Sequence, residues 1–246
     1  MPVPIEGLGQ HYELDSEDYF QHHDLEAKTQ GAFAKLQRAE QLTKGKGRIV
    51  DIVAGRGELL RAARESGWSA VGIEPSASFA RHAAQYSGVE IKSQPLDQCG
   101  FPDGSFDVVI LAGVLEHLYN PSETIEEISR ILRPGGAVFL DVPNERGLYF
   151  LVGNLYQRLR GRDWTVNLAP TFEPFHVFGF NPKALRSLLA RYSLSVTDWV
   201  VYGGRAVLLR RKGLVGYLEK QGSQLITALS NRRGLGTYIE TWAIKQ

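Results

Sequence analysis

The chain has 246 residues, of which 43% are hydrophobic and 22% are charged, enough to fill the core of one large α/β domain. Its formal net charge of +1 argues against broad electrostatic binding to nucleic acid or acidic membranes. The single cysteine, Cys99, excludes an internal disulfide and favours a reducing, cytoplasmic location. The first residues lack the basic and apolar regions of a signal peptide, and no apolar run reaches the roughly 20 residues of a membrane-spanning helix.

Before the first strand, the sequence predicts a helix from Ser16 to Leu42. Its candidate core positions are Leu25, Phe33, Leu36 and Ala39. The pair His22–His23 has no carboxylate or thiol at a recognised metal-binding spacing, which indicates a solvated helix face.

Residues 48–60, RIVDIVAGRGELL, predict a buried strand, a glycine-bearing turn and the start of a helix. In this geometry, backbone N–H groups at the beginning of the helix face a ligand at the carboxyl end of the strand. Gly55 and Gly57 suit the turn, because a Cβ atom would hinder both the backbone and the approach of a ligand.

A second strand, Ala70–Ile73, ends in Glu74 and Pro75. An acidic residue at this point, roughly twenty residues after the glycine turn, is placed to accept hydrogen bonds from ribose hydroxyls. A glutamate that caps a helix without binding a ligand is the alternative. The glycine turn and the acidic strand end together predict a cofactor that contains a nucleoside.

The turn does not favour a phosphate-bearing cofactor. Leu60 stands where a dinucleotide fingerprint has its third glycine, and Glu58 would repel phosphate. The sequence also contains no G-x-x-x-x-G-K-[ST] phosphate loop. These features favour S-adenosylmethionine over a nicotinamide dinucleotide.

The rest of the chain continues the alternation of strands and helices, with capping residues at Ser76, Asn120 and Asn181. The predicted elements are helix 76–86, strand 89–92, strand 108–111, helix 121–132, strand 137–142, a helix from Pro182, strand 194–202 and strand 238–244.

Four segments resemble, in order and spacing, the motifs of class I S-adenosylmethionine-dependent methyltransferases: VDIVAGRGELL, VGIEPS, FPDGSFDVVILAGVLEHL and ISRILRPGGAVFLDVPN. The resemblance is closest to the group that includes the quinone-biosynthesis O-methyltransferases, strong over residues 49–144 and looser over 175–194. It implies a Rossmann-like, doubly wound sheet of seven mostly parallel strands, with an antiparallel last strand and helices on both faces. It also implies methyl transfer from S-adenosylmethionine to a small-molecule acceptor, most simply a hydroxyl oxygen.

The resemblance also implies which residues bind the cofactor. They lie in the glycine turn, after the second strand, after the third strand and at the end of the fourth: Asp51, Ala54, Gly55, Gly57, Glu74, Pro75, Gln94, Leu96, Ala112 and Gly113. Asp97 is an alternative to Gln94 for the adenine amino group.

One residue departs from the family pattern in the glycine turn. Val53 stands where the family has a glycine, and its side chain either points into the sheet or crowds the methionine end of the cofactor. The alternative function is therefore a catalytically silent relative that binds a nucleoside or a partner protein.

Two histidines are candidate catalytic bases for removing the acceptor's proton, His117 after the fourth strand and His176 near the end of an aromatic insertion. For either, a hydrogen bond to a loop carbonyl is the purely structural alternative. Some related quinone methyltransferases bind a divalent metal through E-x-x-E-H. Gly113 replaces the first carboxylate of that motif here, so the sequence predicts no metal site.

The expected organisation is one domain with four parts: a helical cap 1–47, a cofactor-binding half 48–144, an insertion 145–178 and a C-terminal half 179–246. The insertion is rich in aromatic residues and arginines. It is predicted to be a substrate lid, with a homodimer interface as the competing interpretation. In the cap, Tyr12, Tyr19 and Phe20 are candidates for covering the cofactor. The chain lacks the Asn/Asp-Pro-Pro-aromatic motif of nucleic-acid methyltransferases, and no nucleic-acid partner is expected.

Overall fold

The computed structural model describes residues 25–163, 165–168, 175–203 and 234–246, together with isolated positions between 217 and 230. The helices are α1 (Leu25–Thr43), α2 (Glu58–Glu65), α3 (Ala77–Ser87), α4 (Pro121–Ile131), α5 (Leu148–Leu159) and α6 (Pro182–Arg191). The strands are β1 (Arg48–Ile52), β2 (Ser69–Ile73), β3 (Ile91–Lys92), β4 (Phe106–Ala112), β5 (Leu132–Pro143), β6 (Leu194–Tyr202) and β7 (Tyr238–Lys245). Short 3₁₀ turns occupy Leu96–Gln98 and Leu115–His117.

The strands form one seven-stranded sheet in the order β3-β2-β1-β4-β5-β7-β6. Strands β1 to β5 pair in parallel, whereas β7 lies between β5 and β6 and is antiparallel to both. Strands β2 and β3 are added on one side of β1, whereas β4 and β5 are added on its other side. At this switch point between β1 and β4, the carboxyl ends of the two parallel strands open a crevice where ligands bind in such folds. The predicted fold is confirmed.

Helices cover both faces of the sheet because the central strands are apolar on both sides. On one face, α1 and α2 bury Leu36 and Ala63 against strand residues that include Ile49 and Phe139. On the other face, α4 and α6 pack with the alternate residues of the same strands, such as Val50. Among the described residues, no helix combines the length and the apolar character needed to cross a bilayer.

Two of the predicted helix caps form side-chain hydrogen bonds and one does not. The Ser76 hydroxyl accepts from the Phe79 N–H, and the Asn181 side chain accepts from the backbone N–H groups of Lys183 and Ala184. Asn120 precedes α4, where no hydrogen bond from its side chain caps the helix.

Two expectations about the elements need correction. Phe33 is not a core residue but is 44% exposed, because it lies beside the buried stripe of α1 that contains Ala32, Leu36 and Ala39. Strand β5 begins at Leu132 rather than Ala137, since Leu132 already pairs with Phe106 before a register shift in the ladder. The proposed covering residues Tyr12, Tyr19 and Phe20 lie outside the described residues, as does the pair His22–His23.

The ends of the insertion 145–178 meet at the edge of the sheet. Asn144 forms a parallel bridge with Phe180, and the Glu145 N–H donates to the Phe180 carbonyl oxygen at 2.8 Å. Between these ends, α5 buries Phe150 and exposes an apolar face. That face consists of Leu151, Val152, Leu155, Tyr156 and Leu159.

Candidate active site

The corner between β1 and α2 is a tight turn in which alternate residues have positive φ. The angles are 61° at Val53, 55° at Gly55 and 91° at Gly57. A Cβ atom on Gly57 would lie 3.1 Å from the Ala83 carbonyl oxygen, so α3 leaves no room for a side chain there. A Cβ atom on Gly55 would meet nothing within 4 Å, so this side of the turn is open to a ligand.

Val53 has a positive φ at the position where the family pattern has a glycine. A β-branched residue at positive φ is uncommon and costs of the order of 1–3 kcal/mol. The Val53 side chain is partly buried and packs against the hydrophobic cluster shared by β1, β4, α4 and α6. This contact favours the first of the two orientations considered above, in which the side chain points into the sheet.

Glu74 connects the two strand ends that face the crevice. Its side chain is only 1% exposed. Oε2 accepts from the Gly55 N–H at 3.0 Å and Oε1 accepts from the Ser76 N–H at 3.1 Å. Burial raises the pKa of this carboxyl, and the two backbone hydrogen bonds partly oppose that effect. Each carboxylate oxygen carries a second lone pair, so further hydrogen bonds to ligand hydroxyls are chemically available.

Two more carboxyl groups lie at the carboxyl ends of the strands. Burial, followed by the charge of Glu58, raises the pKa of Asp51 to about 7, and Lys35 opposes the shift. Burial and the nearby Glu240 raise the pKa of Asp141 to about 7, again against Lys35. A cationic ligand group at this edge would favour the ionised form of both carboxyls, and S-adenosylmethionine carries an ammonium and a sulfonium group.

The carboxyl end of β4 is exposed and lacks bulky side chains. Ala112 and Gly113 are both exposed, and Gly113 has a φ of 66°. The Gly113 N–H donates to the Asp141 carbonyl oxygen at 2.9 Å, which holds the turn against β5. A Cβ atom on Gly113 would meet nothing within 4 Å.

The remaining predicted cofactor residues lie beyond β2 and β3. Ala54 is buried, and its N–H donates to the Ile73 carbonyl oxygen at 2.9 Å. Pro75 is exposed. The Gln94 side-chain amide donates to the Gln98 carbonyl oxygen at 2.6 Å, and Leu96 is buried in the hydrophobic core. Gln94 is thus engaged with Gln98, and Leu96 is part of the core.

Directly after β4, a buried carboxyl and two histidines come together. Glu116 is 3% exposed, and burial raises its pKa to about 8. His117 Nε2 lies 4.0 Å from Glu116 Oε1, and the rings of His117 and His176 stack edge to face with centroids 4.7 Å apart. One nitrogen or oxygen donor from each of Glu116, His117 and His176 lies within 4.8 Å of the other two. We call these three residues the Glu-His-His cluster.

Backbone and side-chain oxygens orient both imidazole rings. His117 Nδ1 lies 2.9 Å from the Phe175 carbonyl oxygen. His176 Nδ1 lies 2.9 Å from the Asn167 carbonyl oxygen and 3.1 Å from Asn167 Oδ1. A carbonyl oxygen only accepts, so Nδ1 carries the proton in both rings and the lone pair of the neutral form is on Nε2. Burial and the neighbouring His117 lower the pKa of His176 to about 4.

Asn167 is itself held in place, because its side-chain amide donates to Glu145 Oε1 at 2.6 Å. The insertion thus contributes three residues to this region: His176, Asn167, which contacts its ring, and Glu145, which holds Asn167 in place. Both histidines therefore make the loop-carbonyl contact of the structural alternative through Nδ1.

Comparison with known proteins decides the family. A family model described as a methyltransferase domain matches residues 20–198. The chain belongs to this methyltransferase family. The methyltransferase is 32% identical over 182 residues to demethylmenaquinone methyltransferase of Thermus thermophilus, covering 68% of this chain and 83% of that protein.

A second relative is the mitochondrial ubiquinone biosynthesis O-methyltransferase of Rattus norvegicus, 27% identical over 162 residues, covering 61% of this chain and 44% of that protein. The methyltransferase also spans less than half of the length of several other curated relatives. Its fold matches the structure of a SAM-dependent methyltransferase from Archaeoglobus fulgidus with a TM-score of 0.59 and 18% identity, covering 88% and 94% of the two chains. Its cofactor is S-adenosylmethionine.

Several residues of the site were not singled out from the sequence. Asp141 follows an apolar strand run in FLDVPN, and an acid at a strand's carboxyl end is the signal that could have indicated it. Glu116 was considered only as part of an incomplete metal motif. Asn167 and Glu145 carry no sequence signal, because only the folded insertion brings them to His176.

Proposed function

We propose that this methyltransferase transfers the methyl group of S-adenosylmethionine to a hydroxyl oxygen of a small-molecule acceptor. The observation that carries the proposal is the Glu-His-His cluster, which directly follows the exposed end of β4 at Ala112 and Gly113. A hydroxyl must lose its proton during transfer, and the cluster offers groups that can accept one. The rat relative, named as an O-methyltransferase, also supports this choice.

The reaction is an in-line displacement. The acceptor oxygen forms a bond to the methyl carbon, the carbon–sulfur bond breaks, and its electron pair stays on sulfur. In the absence of any bound cation, the hydroxyl proton passes to Nε2 of His117. His176, whose pKa is lowered to about 4, is neutral at physiological pH and positions the acceptor.

On the cofactor side, we assign the ribose hydroxyls to Glu74 and the methionine ammonium group to the edge containing Asp51, Ala54, Gly55 and Gly57. The adenine ring lies toward Pro75, Gln94 and Leu96, and the methyl group points toward Ala112 and Gly113. These roles are supported by the open side of the glycine turn and by the buried carboxyls that favour a cation.

The insertion 145–178 acts as the substrate lid in this proposal. Support comes from His176, which the insertion places against His117, and from the position of its two ends beside β5. The exposed apolar face of α5 is equally suited to a homodimer interface, the competing interpretation. The cytoplasmic location likewise stays a prediction from the sequence.

The test combines calorimetry with an acceptor panel. Isothermal titration should show S-adenosylmethionine binding one site per chain. With methyl-labelled cofactor, phenols and catechols should become labelled, whereas matched anilines of the same shape should not. Exclusive labelling of the amines would contradict the choice of oxygen.

A silent binding module is the second candidate, and the strained Val53 in the cofactor turn is the observation that favours it. Failure to bind S-adenosylmethionine even at millimolar concentration would support the silent module. Binding without turnover of any acceptor in the panel would leave the cofactor role intact and restrict the search to other acceptors.

A further inference from the structure

The Glu-His-His cluster has the composition and the buried setting of a metal site. Two imidazoles and one carboxylate converge there, with one donor atom of each within 4.8 Å of the others. A metal bound at about 2.1 Å keeps adjacent donors roughly 3 to 3.5 Å apart, so small side-chain rotations that close the gap by roughly 1 to 2 Å complete the coordination.

Glu116 supplies an independent observation. Its side chain is almost fully buried, and its Oε2 atom is enclosed without any hydrogen-bond partner. A buried carboxylate oxygen without a partner is costly, and burial of this kind is normally compensated by a cation or a donor. His117 lies within 4.0 Å of the same carboxylate.

The backbone around the cluster is fixed before any ligand binds. The Glu116 carbonyl oxygen accepts from the N–H groups of Val177 at 2.8 Å and Phe178 at 3.0 Å, which joins the end of β4 to the insertion. The Nδ1–H groups of His117 and His176 each face a carbonyl oxygen, at Phe175 and Asn167 respectively. Outer carbonyl partners of this kind orient metal-binding histidines so that Nε2 is the ligand atom.

The ligand set differs from the E-x-x-E-H pattern considered from the sequence. Gly113 removes the first carboxylate of that pattern, and His176, 59 residues after His117, takes its place in the cluster. Substituting an imidazole for a carboxylate changes the metal that fits. Mg²⁺ prefers oxygen ligands, whereas two imidazoles and one carboxylate suit Zn²⁺, Fe²⁺ or Co²⁺ and leave coordination positions open.

We propose that Glu116, His117 and His176 form a binding site for a divalent transition-metal ion, one that binds the acceptor oxygen directly. The binding of the acceptor oxygen to the metal rests on the proposed function, whereas the metal site itself does not. The sequence alone predicts no metal site, because His176 comes close to Glu116 and His117 only in the folded chain.

With such an ion bound, His117 would serve as a ligand and would no longer be needed as the base proposed above. An ion held by Glu116, His117 and His176 would supply Lewis-acid chemistry: it would lower the pKa of the acceptor hydroxyl, so that the proton could pass to water. The resulting oxygen attacks the methyl carbon, and the electron pair of the broken carbon–sulfur bond remains on sulfur. The products are the methyl ether and S-adenosylhomocysteine.

Cobalt provides a direct test that needs no turnover. Chelator-treated protein is titrated with Co²⁺ while visible absorption and calorimetry are recorded, and we expect one ion per chain. E116Q and H176Q should each weaken Co²⁺ binding roughly 100-fold, at least as much as the loss of an outer-shell partner. H176C should restore binding and add a thiolate-to-cobalt charge-transfer band, which a merely structural role of His176 would not produce.

Three controls separate this site from other causes. H82Q and the double variant H22Q/H23Q remove histidines outside the cluster and should leave Co²⁺ binding unchanged. Mg²⁺ at the same concentration should not compete. S-adenosylmethionine affinity, measured on each variant, should stay within about twofold of wild type, which reports both folding and the cofactor site.

Absence of Co²⁺ binding by the wild-type protein, or binding that survives both E116Q and H176Q, overturns the proposal. Binding that is lost in H22Q/H23Q and retained in the cluster variants does the same. Normal cobalt binding in a protein without affinity for S-adenosylmethionine would preserve the metal site and contradict the proposed function, so the two can fail separately.

Discussion

The proposed cofactor side and the proposed acceptor side of this methyltransferase are built in different ways. On the cofactor side, Glu74 bonds to Gly55 and Ser76, so backbone groups from two adjacent strand–helix corners hold the site together. On the acceptor side, His117 is oriented by a carbonyl oxygen 58 residues away, at Phe175. The first site is largely a property of two tight turns, and the second exists only once the insertion has docked on β4. Mutations should therefore separate cofactor binding from turnover.

The largest effect is expected at the two histidines. H117A and H176A should each lower kcat by roughly 100-fold or more, because each removes a group that activates or positions the acceptor. S-adenosylmethionine affinity should be unchanged in both. Steady-state kinetics and calorimetry on the same preparations test this, with H82A as the control outside the cluster. Parallel loss of cofactor affinity would break the separation between the two sides.

Glu74 should give the opposite pattern. E74A removes a buried carboxylate that accepts two backbone hydrogen bonds, each worth about 1.5–3 kcal/mol when the acceptor is charged. We expect a loss of roughly 100-fold in cofactor affinity by calorimetry. E65A is the matched control, since Glu65 in α2 forms only an exposed ion pair with Arg61. An unaltered dissociation constant in E74A would remove Glu74 from the cofactor site.

The contrast between these two sites also explains what could be predicted from the sequence. The glycine turn, Glu74 and the caps at Ser76 and Asn181 depend on neighbours in the chain, so local patterns indicated them. His117 and His176 were identified separately, but no local pattern shows that their rings lie 4.7 Å apart.

The residues that were not predicted, or were predicted wrongly, have similar physical causes. Asp141 ends an apolar run in the sequence, but its position beside Ala112 at the end of β4 follows only from the pairing of the two strands. Phe33 fits the helical spacing of apolar residues and yet is exposed. The buried face of α1 is a narrow stripe that contains Ala32, Leu36 and Ala39 and does not extend to Phe33.

Asp51 should make cofactor binding depend on pH. Its pKa of about 7 is well above the ordinary value of 3.8. An ammonium group beside it favours the ionised form, so binding must displace a proton below pH 7. Affinity should therefore fall by up to about tenfold per pH unit below 7 and level off above it. Calorimetry between pH 5.5 and 8 measures this, and D51N should flatten the profile while D103N, at an exposed position before β4, should not.

The same residue affects stability in the opposite direction. Between about pH 4 and pH 7, the native state holds a proton on Asp51 that the unfolded chain has already released. The contribution of Asp51 to the free energy of unfolding therefore decreases as pH rises through this window. D51N should stabilise the protein at pH 8 more than at pH 5, which urea unfolding at the two pH values compares. Equal effects at both would show that the Asp51 pKa is ordinary.

The smallest effect is expected for V53G. Glycine adopts a positive φ without strain, which should stabilise the fold by about 1 kcal/mol or more. The substitution also removes the packing of the partly buried Val53 side chain, which opposes this gain. We expect the free energy of unfolding to change by less than about 1 kcal/mol and cofactor affinity by less than twofold. A gain in affinity of fivefold or more would show that Val53 crowds the methionine end of the cofactor.

The bridge between Asn144 and Phe180 has a consequence for how such enzymes diversify. Because the two ends of the intervening segment are held together at the sheet edge, lengthening it adds little closure entropy, only about 0.6 kcal/mol for each doubling. We therefore expect the segment to be exchangeable. Grafting the corresponding stretch of another family member between these anchor points should transfer acceptor preference while the parallel strands and their nucleoside cradle stay as they are.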